Sequence, residues 1–112
     1  YHYQKELLDY CNSKNIIIEA YSPLVHAKRM DESRLVAISE ELGKTPAQVL
    51  IRWAMQRGMV VLPKSVNENR IIENFTVFDF KISDSIMKRL DDLDERFVTC
   101  WDPHNPPPYA PV

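Results

Sequence analysis

The sequence predicts an α/β fold in which two short parallel strands alternate with amphipathic helices. IIIEAY (16–21) is a short β-branched run, typical of a strand buried on both faces, and MVVLP (59–63) is a second apolar run. Segments with apolar residues at helical spacing precede, separate and follow these runs. Strands connected through helices run parallel, and two parallel strands do not make a stable sheet alone. We therefore expect a part of a larger sheet, or one that a partner completes.

One helix precedes the first strand and a second helix follows it. Residues 4–13 form a predicted helix whose apolar side consists of Leu7, Leu8 and Cys11. The apolar side of the second helix consists of Leu35, Ile38 and Leu42. Gly43 is suited to end that helix, because glycine adopts a positive φ without steric cost.

TPAQ (45–48) predicts the start of a third helix. Thr45 can cap the helix, Pro46 is favoured at its first position, and Gln48 can complete a capping box. The expected buried face consists of Val49, Leu50, Trp53 and Ala54. Gly58 follows the last turn and precedes the second strand.

The second strand leads into a helix at about 67–75, an extended segment at 77–82 and a final helix that begins at Ser83. The apolar side of the final helix consists of Ile86, Leu90 and Leu93. Five of the eight prolines lie within 103–111, so residues 101–112 of the tail (97–112) can form neither a regular helix nor an inner strand.

Composition excludes several classes of partner. Fourteen basic and sixteen acidic side chains give a net charge of -2, so no global charge attracts nucleic acid or a membrane surface. The apolar runs are far shorter than the roughly 18 residues that span a bilayer. Cys11 and Cys100 lack metal-ligand spacing and are expected to be free thiols. We expect a cytoplasmic protein.

Common nucleotide and metal motifs are also missing. With only Gly43 and Gly58 in the chain, the sequence holds neither a Rossmann glycine fingerprint nor a P-loop. No HExxH or paired-cysteine motif is present, and we expect no metal. His2, His26 and His104 are scattered and are expected in loops or at the surface.

Polar side chains follow both strands at the point where each strand ends. Tyr21 and Ser22 follow the first strand, and Lys64 and Ser65 follow the second. Ligands of parallel α/β proteins gather at this edge of the sheet. Lys64 and Ser65 also precede a helix N-terminus, whose free N–H groups and dipole favour an anion. The pattern indicates a phosphate site.

Arg70, Glu73 and Asn74 can share one face of the helix that follows. Arginine can bind a phosphate and stack on a flat ring, and glutamate and asparagine can accept hydrogen bonds from an exocyclic amine. The set suits an adenine nucleotide with an extra phosphate. In the alternative interpretation, Arg70 and Glu73 form a solvated ion pair and Ser65 or Asn67 only caps the helix.

LPKSVNENRIIENFTV (62–77) resembles the C-terminal signature of the aldo-keto reductases, with its Lys-Ser pair, the arginine and the asparagine at matching spacing. AYSPL (20–24) resembles the end of the seventh barrel strand of that family, and 41–65 resembles the helix leading into the eighth strand. The resemblance implies a (β/α)8 barrel that binds NADPH without a Rossmann domain. Residues 1–112 would then be the C-terminal part of that domain, about its last two strands with their helices and the tail.

The resemblance implies a set of contacts along the NADPH molecule. Tyr21 would stack under the nicotinamide ring, and Ser22 and Leu24 would contact the pyrophosphate. The 2′-phosphate of the adenosine ribose would be surrounded by Lys64, Ser65, Asn67 and Arg70. In the alternatives, Tyr21 is a buried aromatic residue at the end of a strand, Leu24 is packing, and Asn67 is a helix cap.

Further contacts are implied at the two ends of the site. Val66 would contribute its backbone, and Glu73 with Asn74 would hold the edge of the adenine. Trp101 would line the substrate pocket, or else pack under the proline-rich tail. The segment 25–34 departs from the family, since it is short and lacks the glycine and the acidic residue with which many members clasp the cofactor.

The implied activity is the reduction of aldehydes or ketones by hydride transfer from NADPH. The catalytic Asp, Tyr, Lys and His of the family lie in the first half of the barrel, to which no part of this chain corresponds. Tyr1 resembles the end of a segment that follows the sixth strand. We therefore expect the chain to supply the cofactor site and part of the substrate rim, to hold no catalytic residue, and to be inactive alone.

Two alternatives to an enzyme part remain open. One is a structural or interaction protein derived from an aldo-keto reductase barrel. The other is a shortened chain that associates with other subunits and never binds the cofactor. For the enzyme, the expected partner is a small carbonyl compound, and the parent is expected to be a monomer or a weak dimer.

Overall fold

The computed structural model describes residues 1–99, in which helices and strands alternate as an α/β arrangement. In chain order the elements are α1 (Lys5–Ser13), β1 (Glu19–Ala20), a 3₁₀ segment (Val25–Ala27), α2 (Ser33–Leu42), α3 (Pro46–Gln56), β2 (Val60–Val61), α4 (Glu68–Phe75) and α5 (Asp84–Asp91). All five predicted helices are present. In this part of the chain, no helix is both long and apolar enough to cross a membrane.

The two strands are parallel, as predicted, but much shorter than their β-branched runs. Glu19 pairs with Val60 and Ala20 with Val61. The prediction that 16–21 is a strand buried on both faces is wrong, because Ile17 is 77% exposed. The carbonyl of Ile18 still accepts from the N–H of Val60 at 2.9 Å, but the described sheet holds no third strand to pair with or cover the rest of the run.

The main core lies between α2, α3 and α5 and does not lie on the sheet. Its buried members are Leu35, Ile38, Val49, Leu50, Ile82, Ile86, Met87, Leu90 and Leu93. These include most of the predicted apolar sides of the three helices. Trp53 is only partly buried at the edge of this core, where its ring meets the Tyr3 ring edge to face at 5.3 Å.

The predicted signals at both ends of the α2–α3 connection are confirmed. Gly43 follows α2 with a φ of +61°, in the left-handed region that glycine tolerates. The Thr45 hydroxyl accepts from the Gln48 N–H at 3.3 Å, and the Gln48 side chain accepts from the Thr45 N–H at 3.1 Å. Pro46 occupies the first turn, so α3 begins with the capping box that TPAQ predicts.

Two glutamines of α3 hold the extended segment 77–82 to the helix. Gln48 donates from its side chain to the carbonyl of Thr76 at 2.9 Å. Gln56 donates to the carbonyl of Ile82 at 2.9 Å and accepts from its N–H at 2.8 Å. Val77 and Ile82 are almost fully buried at either end of the segment. These bonds supply the polar partners that a buried, non-helical stretch of backbone needs.

Helix α1 differs from its prediction in one respect. Leu8 is buried and the free thiol of Cys11 is half-buried, but Leu7, the third member of the predicted apolar side, is half-exposed. The predictions for Cys100 and for the tail beyond residue 99 lie outside the described residues.

The first residue is bound to the end of the described chain. The carbonyl of Tyr1 accepts from the N–H of Glu95 at 3.0 Å and from that of Phe97 at 2.9 Å. Arg29, in the loop after β1, pairs with Glu95 at 2.9 Å, and its guanidinium lies 4.7 Å from the centre of the Phe97 ring. Residues 95–97 are thereby attached both to Tyr1 and to the loop that follows the first strand.

Candidate functional site

A groove at the carboxyl ends of β1 and β2 brings together most of the predicted cofactor-binding residues. Three parts of the chain line it: the loop after β1, the first turn of α3, and the segment from β2 into α4. The predicted residues among its lining are Ser22, Leu24, Lys64, Ser65, Val66, Asn67, Arg70, Glu73 and Asn74. Nine of the ten residues predicted for cofactor contact therefore share one concave surface.

Tyr21 lies outside the groove. It is 58% exposed and lines a second cavity together with Trp53 and Phe97. Its assignment as a buried aromatic residue is therefore wrong. Ser22 and Pro23 line both concave surfaces, so the cavity and the groove adjoin where the chain leaves β1. An elongated ligand could contact both sides of this junction.

The start of α4 is capped by its own side chains. The Asn67 side chain accepts from the N–H of Arg70 at 3.1 Å, and the Ser65 hydroxyl accepts from the N–H of Asn67 at 3.1 Å. Asn67 is thus the helix cap of the alternative interpretation. These two N–H groups are therefore not free for the predicted anion, and the positive charge at this point comes from side chains.

Lys64 and Arg70 supply that charge. Within residues 1–99 neither side chain pairs with a carboxylate, and both residues are exposed in the groove. The alternative in which Arg70 forms an ion pair with Glu73 is therefore wrong. Two cations that line the same groove without forming ion pairs raise the local positive potential, which a bound phosphate would neutralise.

Glu73 is held by the first turn of α3. The Thr45 hydroxyl donates to its carboxylate, and the Gln48 side chain donates to its main-chain carbonyl at 3.3 Å. Glu73 and the adjacent Asn74 both line the groove. The carboxylate of Glu73 and the amide of Asn74 thus provide hydrogen-bond acceptors at the end of the groove that is formed by α4.

The loop after β1 adopts a strained backbone. Val25, His26 and Ala27 have φ values of +46°, +53° and +60°, a region that residues with side chains seldom occupy. Ser22 also has a positive φ, and its hydroxyl lies 3.2 Å from Nε2 of His26. Such conformations persist where surrounding contacts fix them, and here they shape one margin of the groove.

Leu24 and Val66 occupy contrasting positions in the lining. Leu24 lines the groove and is partly buried. It also packs against the main core, so the alternative in which Leu24 is a packing residue is confirmed as well. Val66 is 94% exposed, which leaves its main chain accessible. Trp101, predicted for the substrate pocket, lies outside the described residues.

The sequence interpretation missed the contribution of α3. Thr45, Pro46 and Ala47 line the groove, as do His26 and Met30 in the loop after β1. A helix that leads into a parallel strand returns along the sheet, so its N-terminus lies at the carboxyl edge of the strands. The predicted capping box at Thr45 was therefore a signal that could have located this turn at the site.

Residues 1–95 match the family model described as the Aldo/keto reductase family. The chain belongs to the aldo/keto reductase family. A curated relative, the glyoxal reductase of Bacillus subtilis (strain 168), is 47% identical over 95 residues, which are 83% of this chain and 34% of the relative. The chain spans about a third of the length of the curated relatives it matches.

Two solved structures, one of them of an aldo-keto reductase, share the described fold. MGS-M4, an aldo-keto reductase from a Medee basin deep-sea metagenome library, is 34% identical with a TM-score of 0.87, over 93% of this chain and 39% of that chain. A mutant of Gox0644, solved in complex with NADPH, is 36% identical with a TM-score of 0.80, over 85% and 35%. The helices and strands of this chain are therefore those of part of an aldo/keto reductase fold.

Proposed function

We propose that this chain is the C-terminal part of an aldo/keto reductase barrel that binds the adenosine end of NADPH for carbonyl reduction. The observation that carries the proposal is the groove, in which Lys64 and Arg70 lie with Glu73 and Asn74 at the carboxyl ends of parallel strands. The Gox0644 relative, solved with NADPH, supports the same cofactor for this chain.

The donors and acceptors of the groove fit the parts of that cofactor. Lys64 and Arg70 would bind the 2′-phosphate with Ser65 and Asn67, while Glu73 and Asn74 would accept from the adenine amine. The exposed main chain of Val66 would add a contact to the same end.

The other end of the cofactor would lie across the junction at Ser22. Ser22 and Leu24 would contact the pyrophosphate, and Tyr21, in the adjoining cavity, would stack on the nicotinamide. When bound, NADPH supplies the hydride that reduces the carbonyl carbon. The contribution of this chain is to hold and orient the cofactor.

The catalytic residues of the family belong to the first half of the barrel, which this chain does not supply. The domain would thus be completed by sequence that precedes residue 1, with 97–112 forming the C-terminal tail. The substrate would be a small aldehyde or ketone, and the parent a cytoplasmic monomer or weak dimer.

The purified 112-residue chain is expected to oxidise no NADPH with an aldehyde. Steady turnover would contradict the proposal that the catalytic residues lie outside this chain.

Titration of the full chain with NADPH and NADH tests the cofactor site, because the two differ by the 2′-phosphate. We expect NADPH to bind about tenfold more tightly, as charge-assisted bonds to one phosphate allow. Arg70→Met should remove most of that preference. Arg89→Met is the matched control, since Arg89 pairs with Glu41 away from the groove. Equal affinity of the unmodified chain for both nucleotides would reject the site.

A further inference from the structure

The bond between Thr45 and Glu73 joins two elements that line the groove. Thr45 caps α3 and Glu73 lies in the last turn of α4, 28 residues further along the chain. The Thr45 hydroxyl donates to one carboxylate oxygen of Glu73 while accepting from the Gln48 N–H. A hydroxyl has one donor and two acceptor sites, so both bonds can exist together.

The position of Glu73 is fixed at its main chain as well. Gln48, the second member of the capping box, donates to the carbonyls of Glu73 at 3.3 Å and of Thr76 at 2.9 Å. The same two residues that start α3 therefore hold the last turn of α4 and one carboxylate oxygen. Rotation of the Glu73 side chain would break its bond with Thr45.

We propose that Thr45 is a positioning residue that makes the groove select a 6-aminopurine over a 6-oxopurine. The inference rests on the proposed function, in which Glu73 receives the exocyclic amine. An ionised carboxylate only accepts hydrogen bonds, so a fixed Glu73 binds the amine but repels a 6-oxo group. A carboxylate free to rotate could instead shift to the N1–H that a 6-oxopurine carries, and discrimination would fall.

The test compares NADPH with its deamino analogue, nicotinamide hypoxanthine dinucleotide phosphate, by titration of the full chain. The measured quantity is the ratio of the two dissociation constants. We expect a preference of about tenfold for NADPH, the effect of one hydrogen bond to a charged group. Thr45→Val should reduce the ratio severalfold, and Thr45→Ser, which keeps the hydroxyl, should restore it.

This ratio separates positioning from a structural role. Loss of the α3 cap alone would weaken both nucleotides equally and leave the ratio unchanged. Thr76→Val is the matched control, because the Thr76 hydroxyl, just after α4, donates to the carbonyl of Ile72 at 2.8 Å and Thr76 does not line the groove. Glu73→Gln should bring the ratio near one, since an amide can also donate to the 6-oxo group.

The outcomes distinguish this inference from the proposal on which it rests. An NADPH preference over NADH combined with an amino-to-deamino ratio near one would overturn the role of Thr45 and leave the phosphate site standing. An unchanged ratio in Thr45→Val would do the same. Absence of binding to NADPH would reject both. Circular dichroism of each variant verifies that helix content is retained.

Discussion

Gln56 satisfies both polar groups of the Ile82 main chain, at a point where the extended segment becomes buried. Replacement of Gln56 by an apolar residue would leave the N–H and the carbonyl of Ile82 without hydrogen-bond partners where solvent access is restricted. The cost of an unsatisfied buried group exceeds the net gain of an ordinary hydrogen bond. We therefore expect the Gln56 side chain to contribute more to the free energy of unfolding than an ordinary hydrogen bond does.

We expect Gln56→Leu to lower the free energy of unfolding by about 2 kcal/mol. Urea denaturation followed by circular dichroism measures the change. Gln4→Leu makes the same chemical substitution at an exposed residue before α1, and its effect should stay within about 0.5 kcal/mol. Equal stability of the two variants would show that Gln56 does not hold the segment.

At the residue scale, the sequence located the groove but not the internal partners of its side chains. Lys64, Arg70 and Glu73 were identified from their spacing and from the family signature. The bond from Thr45 to Glu73 spans 28 residues and depends on how α3 packs against α4. Local spacing predicts a pair between Arg70 and Glu73 instead, and the structure replaces it with this longer-range contact.

At the scale of elements, α2 begins with a charged cap. The Glu32 carboxylate accepts from the N–H of Leu35 at 2.9 Å and from Arg34 at 2.6 Å. Partial burial acts to raise the pKa of Glu32, but the bonds from Arg34 and Leu35 outweigh it, and the net pKa is lowered. An ionised cap also complements the positive end of the helix dipole.

A lowered folded-state pKa means that the unfolded chain takes up the proton more readily. The stabilisation from Glu32 is therefore complete above its ordinary pKa of 4.5 and is lost as pH falls through the folded value. We expect unfolding free energy to decrease between about pH 5 and pH 3. Glu32→Gln should flatten that decrease, whereas Glu40→Gln, on the exposed side of α2, should leave it as in the unmodified chain.

Helices were predicted more successfully than strands for a physical reason. Each helix satisfies its backbone internally, and caps such as Thr45 and Gly43 mark its ends in the sequence. A strand needs neighbours to pair with, and the run 16–21 finds only β2 in the described chain. Its β-branched composition therefore indicates a strand that this part of the molecule cannot complete.

At the scale of the whole molecule, residues 1–99 leave an apolar surface exposed beside α4. Phe75 is 74% exposed and Phe78 is 64% exposed, and their rings pack edge to face at 5.5 Å. Ile71 and Ile72 are more than half-exposed on the same helix. Contiguous apolar surface of this kind usually meets another surface. Under the proposed function, the preceding part of the barrel would cover it.

The isolated chain should consequently bind the hydrophobic dye ANS with increased fluorescence. Replacement of Phe75 and Phe78 by serine should lower that signal without loss of helix content, because neither ring is buried. Tyr10→Ser, at an exposed aromatic residue of α1, should change it less. Unchanged ANS fluorescence in the double variant would show that the dye binds to another surface.

The attachment of residues 95–97 to Tyr1 determines how the molecule would respond to mechanical load. A pulling force applied between residues 1 and 97 acts directly on the two main-chain bonds at Tyr1 and on the Arg29–Glu95 pair. Of the two loaded residues, Tyr1 packs against the core of α2, α3 and α5, whereas Phe97 is not part of that core. The segment would detach first as a separate low-force event, and the helical core would rupture later.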